Sequence, residues 1–89
     1  MVQRELAVTN RLGLHARAAA KLVHIAGSYT SQVYLAMDGE EVDAKSILGI
    51  LLLAAAQGSE VTIRCEGGDE QEALDAIAEL FSQRFGEAS

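Results

Sequence analysis

Gly13-Leu14-His15-Ala16-Arg17-Ala18-Ala19-Ala20 decides how this chain is read. A strand-like segment precedes it and a helix-like segment follows. Gly13 permits a sharp turn at little steric cost. His15 falls where the helix begins, and Arg17 lies two residues further on. A helix start exposes unpaired backbone N–H groups and the positive end of the macrodipole. Such a start is an anion site, and phosphate is its usual anion. A neutral imidazole beside it can attack phosphorus, and a guanidinium can hold the phosphoryl oxygens through charge-assisted hydrogen bonds.

Outward from this stretch, Val2 to Val8 alternates as a strand, with Val2, Leu6 and Val8 on one face and Arg4 as the exception. Thr9 to Leu14 forms the loop before the helix. Residues 15 to 26 carry a helical stripe of Ala19, Leu22, Val23 and Ala26, supported by Ala18 and Ile25, and Gly27 reads as its stop. Gln32 to Met37 reads as a strand with Val33 and Leu35 inward. Asp38-Gly39 is a tight-turn signal, and Glu40 to Asp43 returns as an acidic edge strand. Ser46 suits the cap of a helix from Ile47 to about Ala55, ended by Gln57-Gly58. Glu60 to Glu66 is the clearest strand, with Val61, Ile63 and Cys65 on one face. After Gly67-Gly68, Asp69 and Glu72 form a capping-box pattern. The last helix is expected to run to about Phe85, burying Ala73, Leu74, Ile77, Leu80 and Phe81. The order βαββαβα predicts an α+β domain, with helices on one face of a four-stranded, mainly antiparallel sheet.

Eighty-nine residues suffice for one small core, so residues 1–89 are read as a single domain. The net charge of −6 disfavours nucleic acid as a partner, since a basic footprint is expected there. The charge is unevenly spread. No acid falls between Arg11 and Ser28, where Arg17, Lys21 and His24 leave a positive end around His15. No apolar run is long enough to insert in a membrane, and Met-Val-Gln-Arg-Glu lacks the pattern of a secretory signal. Cys65 is the only cysteine, which excludes an internal disulfide and suits a reducing cytoplasm.

The Gly13–Ala20 stretch resembles the active-site motif of the HPr family, histidine phosphocarriers of the phosphoenolpyruvate-dependent phosphotransferase system. Lys45-Ser46-Ile47-Leu48-Gly49 is similar to the family's second signature, and Gln57-Gly58-Ser59 to its turn before the last strand. The agreement extends over nearly the whole chain. One residue departs: the family typically has proline where this chain has Ala18. Alanine also favours helix but constrains the unfolded loop less.

The resemblance implies the open-faced β-sandwich of HPr. It implies that His15 accepts phosphate at Nδ1 from the phosphohistidine of Enzyme I and passes it to a phosphate-accepting Enzyme II domain, for sugar uptake or in a nitrogen-type branch. Arg17 is then the phosphate clamp, with the backbone N–H groups of Ala16 and Arg17 as companions. Without the resemblance, His15 is an ordinary turn residue and Arg17 a solvated helix residue. Ser46 is explained by capping alone; in some members of the family a kinase phosphorylates the matching serine, so a serine kinase and phosphatase are further implied partners.

The second helix is apolar nearly all round. Ile50 and Leu53 are its core candidates. Ile47, Leu48 and Leu51 are left partly exposed, and with Ala16, Ala20 and His24 they form the expected docking patch for protein partners. Ordinary amphipathic packing or self-association would account for the same leucines. No metal site is expected: His15 and His24 are too far apart for one helical turn, and no acid or cysteine completes a set. No cofactor, catalytic triad, paired carboxylate or Walker loop is indicated. The chain thus reads as a monomeric carrier rather than an enzyme. Two rivals use the same residues: an interaction module whose phosphate site has lapsed, and a self-associating small-molecule binder.

Overall fold

The computed structural model describes residues 1–89. The elements are β1 (Val2–Ala7), α1 (Ala16–Gly27), β2 (Gln32–Met37), β3 (Glu40–Asp43), α2 (Ile47–Leu53), β4 (Glu60–Glu66) and α3 (Glu70–Ser82), followed by a 3-10 turn at Arg84–Gly86. The strands form one sheet in the order β1-β4-β2-β3, and every neighbouring pair is antiparallel. The acidic β3 lies at an edge, as its charges require. Asp38 and Gly39 both have positive φ, the twist that a two-residue hairpin turn needs.

Alternation sorts the sheet into two faces. Leu6 pairs with Val61, Leu35 with Ile63 and Val33 with Cys65, so apolar side chains meet across the strands. These six residues are buried, and so are Leu22 of α1, Ile50 of α2 and Ile77 and Phe81 of α3. On the opposite face Arg64 lies over the Tyr34 ring, 4.3 Å from its centroid, and pairs with Glu41 and Glu66. That face carries no helix, so the sandwich is open as expected.

The helix ends depart from expectation in four places. Gly27 closes α1 in an ordinary helical position; the cap is Ser28, also right-handed, so the freedom of glycine is not used there. α2 stops at Leu53 rather than near Ala55, because Ala54 turns left-handed at φ 53°. α3 stops at Ser82 rather than Phe85, and Arg84 and Phe85 take positive φ. Asp69 precedes α3 but makes no side-chain cap bond to it. Its carboxylate instead accepts from the Ser31 hydroxyl and from the N–H groups of Thr30 and Ser31. These bonds, the Ser31 hydroxyl foremost, hold the Asp69 carboxyl down to about 2.

The segment after α2 fixes the loop before α1. Val8 N–H donates to Ser59 O at 2.9 Å, Gly58 N–H to Val8 O at 2.8 Å, and Leu14 N–H to Ala55 O at 2.9 Å. Gly13 has φ +65° and lies against this segment; a Cβ there would come within 2.5 Å of Ala55 O. The glycine is therefore required twice over, by the turn and by the close approach.

Candidate functional site

Three pieces of chain meet at the start of α1. The first is the loop from Asn10 to Leu14. Asn10 is fully buried, and its Nδ2 donates to Gly13 O at 2.8 Å while its backbone carbonyl accepts from Gly13 N–H at 3.1 Å. Leu14 is buried and pins the loop to the core. The second is His15, in extended conformation at the N-cap of α1. Its Nδ1 accepts from Arg17 N–H at 3.3 Å. The third is the chain's C-terminal segment, which brings Glu87 to the other side of the ring. His15 Nε2 is hydrogen-bonded to Glu87 Oε2, and Glu87 Oε1 accepts from Asn10 Nδ2 at 2.9 Å.

Together these residues line a recess of about 540 Å³ bounded by Arg11, Leu12, His15, Ala16, Arg17, Glu87, Ala88 and Ser89. His15 is half-buried at its edge. The N–H groups of Ala16 and Ala18 have no acceptor in the protein; Ala18 is fully buried, whereas Ala16 is exposed and lines the recess, where its N–H is an open donor. No acid lies in the first turn of α1. The Arg17 guanidinium is exposed and forms no ion pair, leaving its fork free for an anion. Asn10 first, and then the His15 ring, hold the Glu87 carboxyl below the usual carboxylate range. The site therefore offers a ring nitrogen that accepts from the Arg17 N–H, an unpaired guanidinium and the open Ala16 N–H. That set can accept and stabilise a phosphoryl group.

His15, Ala16 and Arg17 are thus brought together as expected. Ala20 and His24 follow on the exposed side of α1. In α2, Ile50 and Leu53 are buried, Ile47 and Leu48 are exposed, and Leu51 is half-buried. Leu52, expected on no particular face, is the most exposed of these at 72 %. Leu12, at 62 %, adds an apolar residue beside the recess that the sequence pattern did not mark. Ser46 is half-buried at the N-cap of α2, with its Oγ accepting from Gly49 N–H at 3.1 Å. No group of histidine, cysteine and acidic side chains could hold a metal ion. No helix is long and apolar enough to cross a membrane.

Asn10 and Glu87 were not anticipated. Asn10 followed by Gly13 is an ordinary turn pattern, and its burial has no local signal. Glu87 lies 72 residues from His15, so nothing in the spacing joins them.

Comparison with known proteins extends this geometry. Phosphocarrier protein HPr of Cupriavidus necator is 54 % identical over 87 residues, covering 98 % of each chain. The HPr-like protein Crh of Bacillus subtilis is 49 % identical over 78 residues, 88 % of this chain and 92 % of its own. The crystal structure of HPr-C-His from Thermoanaerobacter tengcongensis superposes with a TM-score of 0.97 at 40 % identity, over the full length of both chains. The family model PTS-HPr, described as the PTS HPr component phosphorylation site, matches residues 2–83. With a recess built around one histidine, an open-faced sandwich and relatives that are carriers rather than enzymes, the chain belongs to the HPr family of phosphotransferase-system phosphocarriers.

Proposed function

We propose that His15 takes a phosphoryl group at Nδ1 from the phosphohistidine of Enzyme I and delivers it to a phosphate-accepting Enzyme II domain. The route serves sugar uptake or a nitrogen-type branch, and it runs in the cytoplasm. The observation that carries this reading is the His15 ring itself. Its Nδ1 faces the open start of α1, beside an unpaired arginine. As phosphorus approaches, Arg17 N–H passes from Nδ1 to a phosphoryl oxygen, and the Ala16 N–H and the Arg17 guanidinium take others. Few contacts are available and the recess is open. The phosphoryl group is therefore stabilised without being trapped, which a carrier needs if transfer is to run onward.

Residues 1–89 act as one domain and as a monomer. Partners dock on Ala16, Ala20, His24, Ile47, Leu48 and Leu51, an apolar surface adjoining the reacting ring. A serine kinase and phosphatase acting on Ser46 would add and remove negative charge on this face, weakening contact with acidic partners.

The test is phosphorylation with phosphoenolpyruvate and Enzyme I, read by intact mass before and after mild acid. One acid-labile phosphate is expected on the wild type and none on His15→Ala. A folded wild-type protein that takes up no phosphate from the Enzyme I of the same organism would overturn the proposal.

A further inference from the structure

We propose that Glu87 is a positioning residue for His15: its carboxylate keeps the ring proton on Nε2 before and after phosphoryl transfer, leaving Nδ1 as the reactive nitrogen. The inference rests on the reading of His15 as phosphoryl acceptor and assigns a role to a residue outside α1 and its loop.

Two contacts from opposite ends of the chain demand the same tautomer. An ionised carboxylate only accepts hydrogen bonds, so the Nε2 that meets Glu87 Oε2 must carry the proton. A backbone N–H only donates, so the Nδ1 that meets Arg17 N–H must present its lone pair. Neither contact depends on the other, yet each leaves the pair on Nδ1.

Glu87 is held in place from several sides. Its second oxygen is occupied by the buried Asn10 amide. Phe85, two residues earlier, is buried against Phe81 with ring centroids 4.8 Å apart. Lys21 Nζ donates to the Phe85 carbonyl. Gly86, at φ +78°, lets the chain turn from that anchor toward the ring. Apart from the His15 ring, the charged group that acts on the carboxylate is Lys21, whose Nζ stands over the tail; Arg11, Arg17 and the last residue, Ser89, line the same recess. Lys21 favours its ionised form.

The electron and proton balance shows what the contact does. In acceptance, the Nδ1 pair forms the N–P bond while the donor's bond to phosphorus breaks and its pair leaves with the donor. No proton leaves Nε2, so the ring gains one positive charge, and that charge forms opposite Glu87. In delivery the N–P pair returns to Nδ1, and the leaving group is a neutral imidazole. Had Nε2 lost its proton, the leaving group would be an imidazolate, which is much poorer. Glu87 therefore keeps the phosphorylated ring in its transferable state.

The experiment compares the full-length wild type, Glu87→Gln and Glu87→Ala, each carrying ¹⁵N-labelled histidine. In alkaline solution, ¹⁵N shifts of the unphosphorylated protein report the tautomer. The wild type is expected almost wholly as the Nε2–H form and Glu87→Ala as a mixture. After phosphorylation with phosphoenolpyruvate and Enzyme I, the half-life of the phosphate at a mildly alkaline pH is expected to lengthen roughly three- to tenfold in Glu87→Ala, with Glu87→Gln between. Phosphorylated Glu87→Ala with wild-type tautomer and half-life would overturn this inference alone. A wild-type protein that takes up no phosphate would overturn it together with the carrier reading.

Discussion

The helices α1 and α2 both begin at a residue whose side chain caps them, but the caps differ in kind. Ser46 Oγ reaches Gly49 N–H at 3.1 Å, three residues on, in the usual manner of a hydroxyl cap. His15 Nδ1 reaches Arg17 N–H at 3.3 Å, two residues on. Histidine is not a favoured cap, and its longer bond reflects a ring that cannot close onto the third N–H as a short side chain does. The difference follows from what else holds each helix. α1 has 12 residues and buries Ala18, Ala19, Leu22 and Ala26. α2 has seven and buries only Ile50 and Leu53. A helix of seven residues is too short to persist on its own propensity, so it depends on its cap and its anchors. Where packing carries the helix, its first residue need not be a good cap. Where packing is thin, the first residue is needed for structure.

Three substitutions would break or sharpen this contrast. Gly13→Ala has the largest expected effect. It places a side chain at φ +65° and 2.5 Å from Ala55 O, against backbone that cannot move away cheaply. A loss of about 3 kcal/mol or more is expected by urea denaturation. A loss under about 1 kcal/mol would mean that the start of α1 does not rely on its loop.

Ser46→Ala should lower stability by about 1 kcal/mol, measured the same way, because a short helix loses its only side-chain cap. Phosphate uptake at His15 should stay within about twofold of wild type, since the two starts share no hydrogen-bond partner. Unchanged stability would erase the proposed division of labour between the two caps.

Ala18→Pro is the smallest effect and runs in the opposite direction. The Ala18 N–H has no acceptor to lose, and a first-turn proline stiffens the unfolded chain. A gain of about 0.5 kcal/mol is expected, with phosphate uptake retained. Destabilisation would show that the packing around the buried Ala18 methyl has closed over the space a ring needs.

The sheet was legible because its signals are local. Alternation placed β2, β3 and β4 to the residue, and Asp38-Gly39 joined two of them with the turn it favours. His15 and Arg17 were singled out by a glycine turn before a helix together with the resemblance to the HPr motif, and the structure places the His15 ring against the Arg17 N–H. The failures share a different physics. Ala54, Arg84 and Phe85 adopt left-handed backbone that their side chains do not favour, so tertiary contacts decide those helix ends. Phe85 shows how: the buried ring, packed at a tilt against Phe81, makes the turn worth its strain. Asp69 followed the capping pattern in sequence, yet the Ser31 hydroxyl and two loop N–H groups claim its carboxylate. Asn10 and Glu87 lie 77 residues apart, and only the folded chain makes them neighbours.

The strand order carries a consequence for how the molecule is born. β1 is made first but lies at an edge, and its sole hydrogen-bonded neighbour is β4. A ribosome releases the N-terminal strand and the His15 loop long before anything exists to pair with them. The Ala55 carbonyl that holds Leu14 comes later, and Glu87 follows His15 by 72 residues. A fragment that stops short of Glu87 therefore lacks one of the two hydrogen bonds made by the His15 ring. The ring meets both of its partners only once synthesis has passed Glu87, so a shorter fragment holds His15 from one side alone.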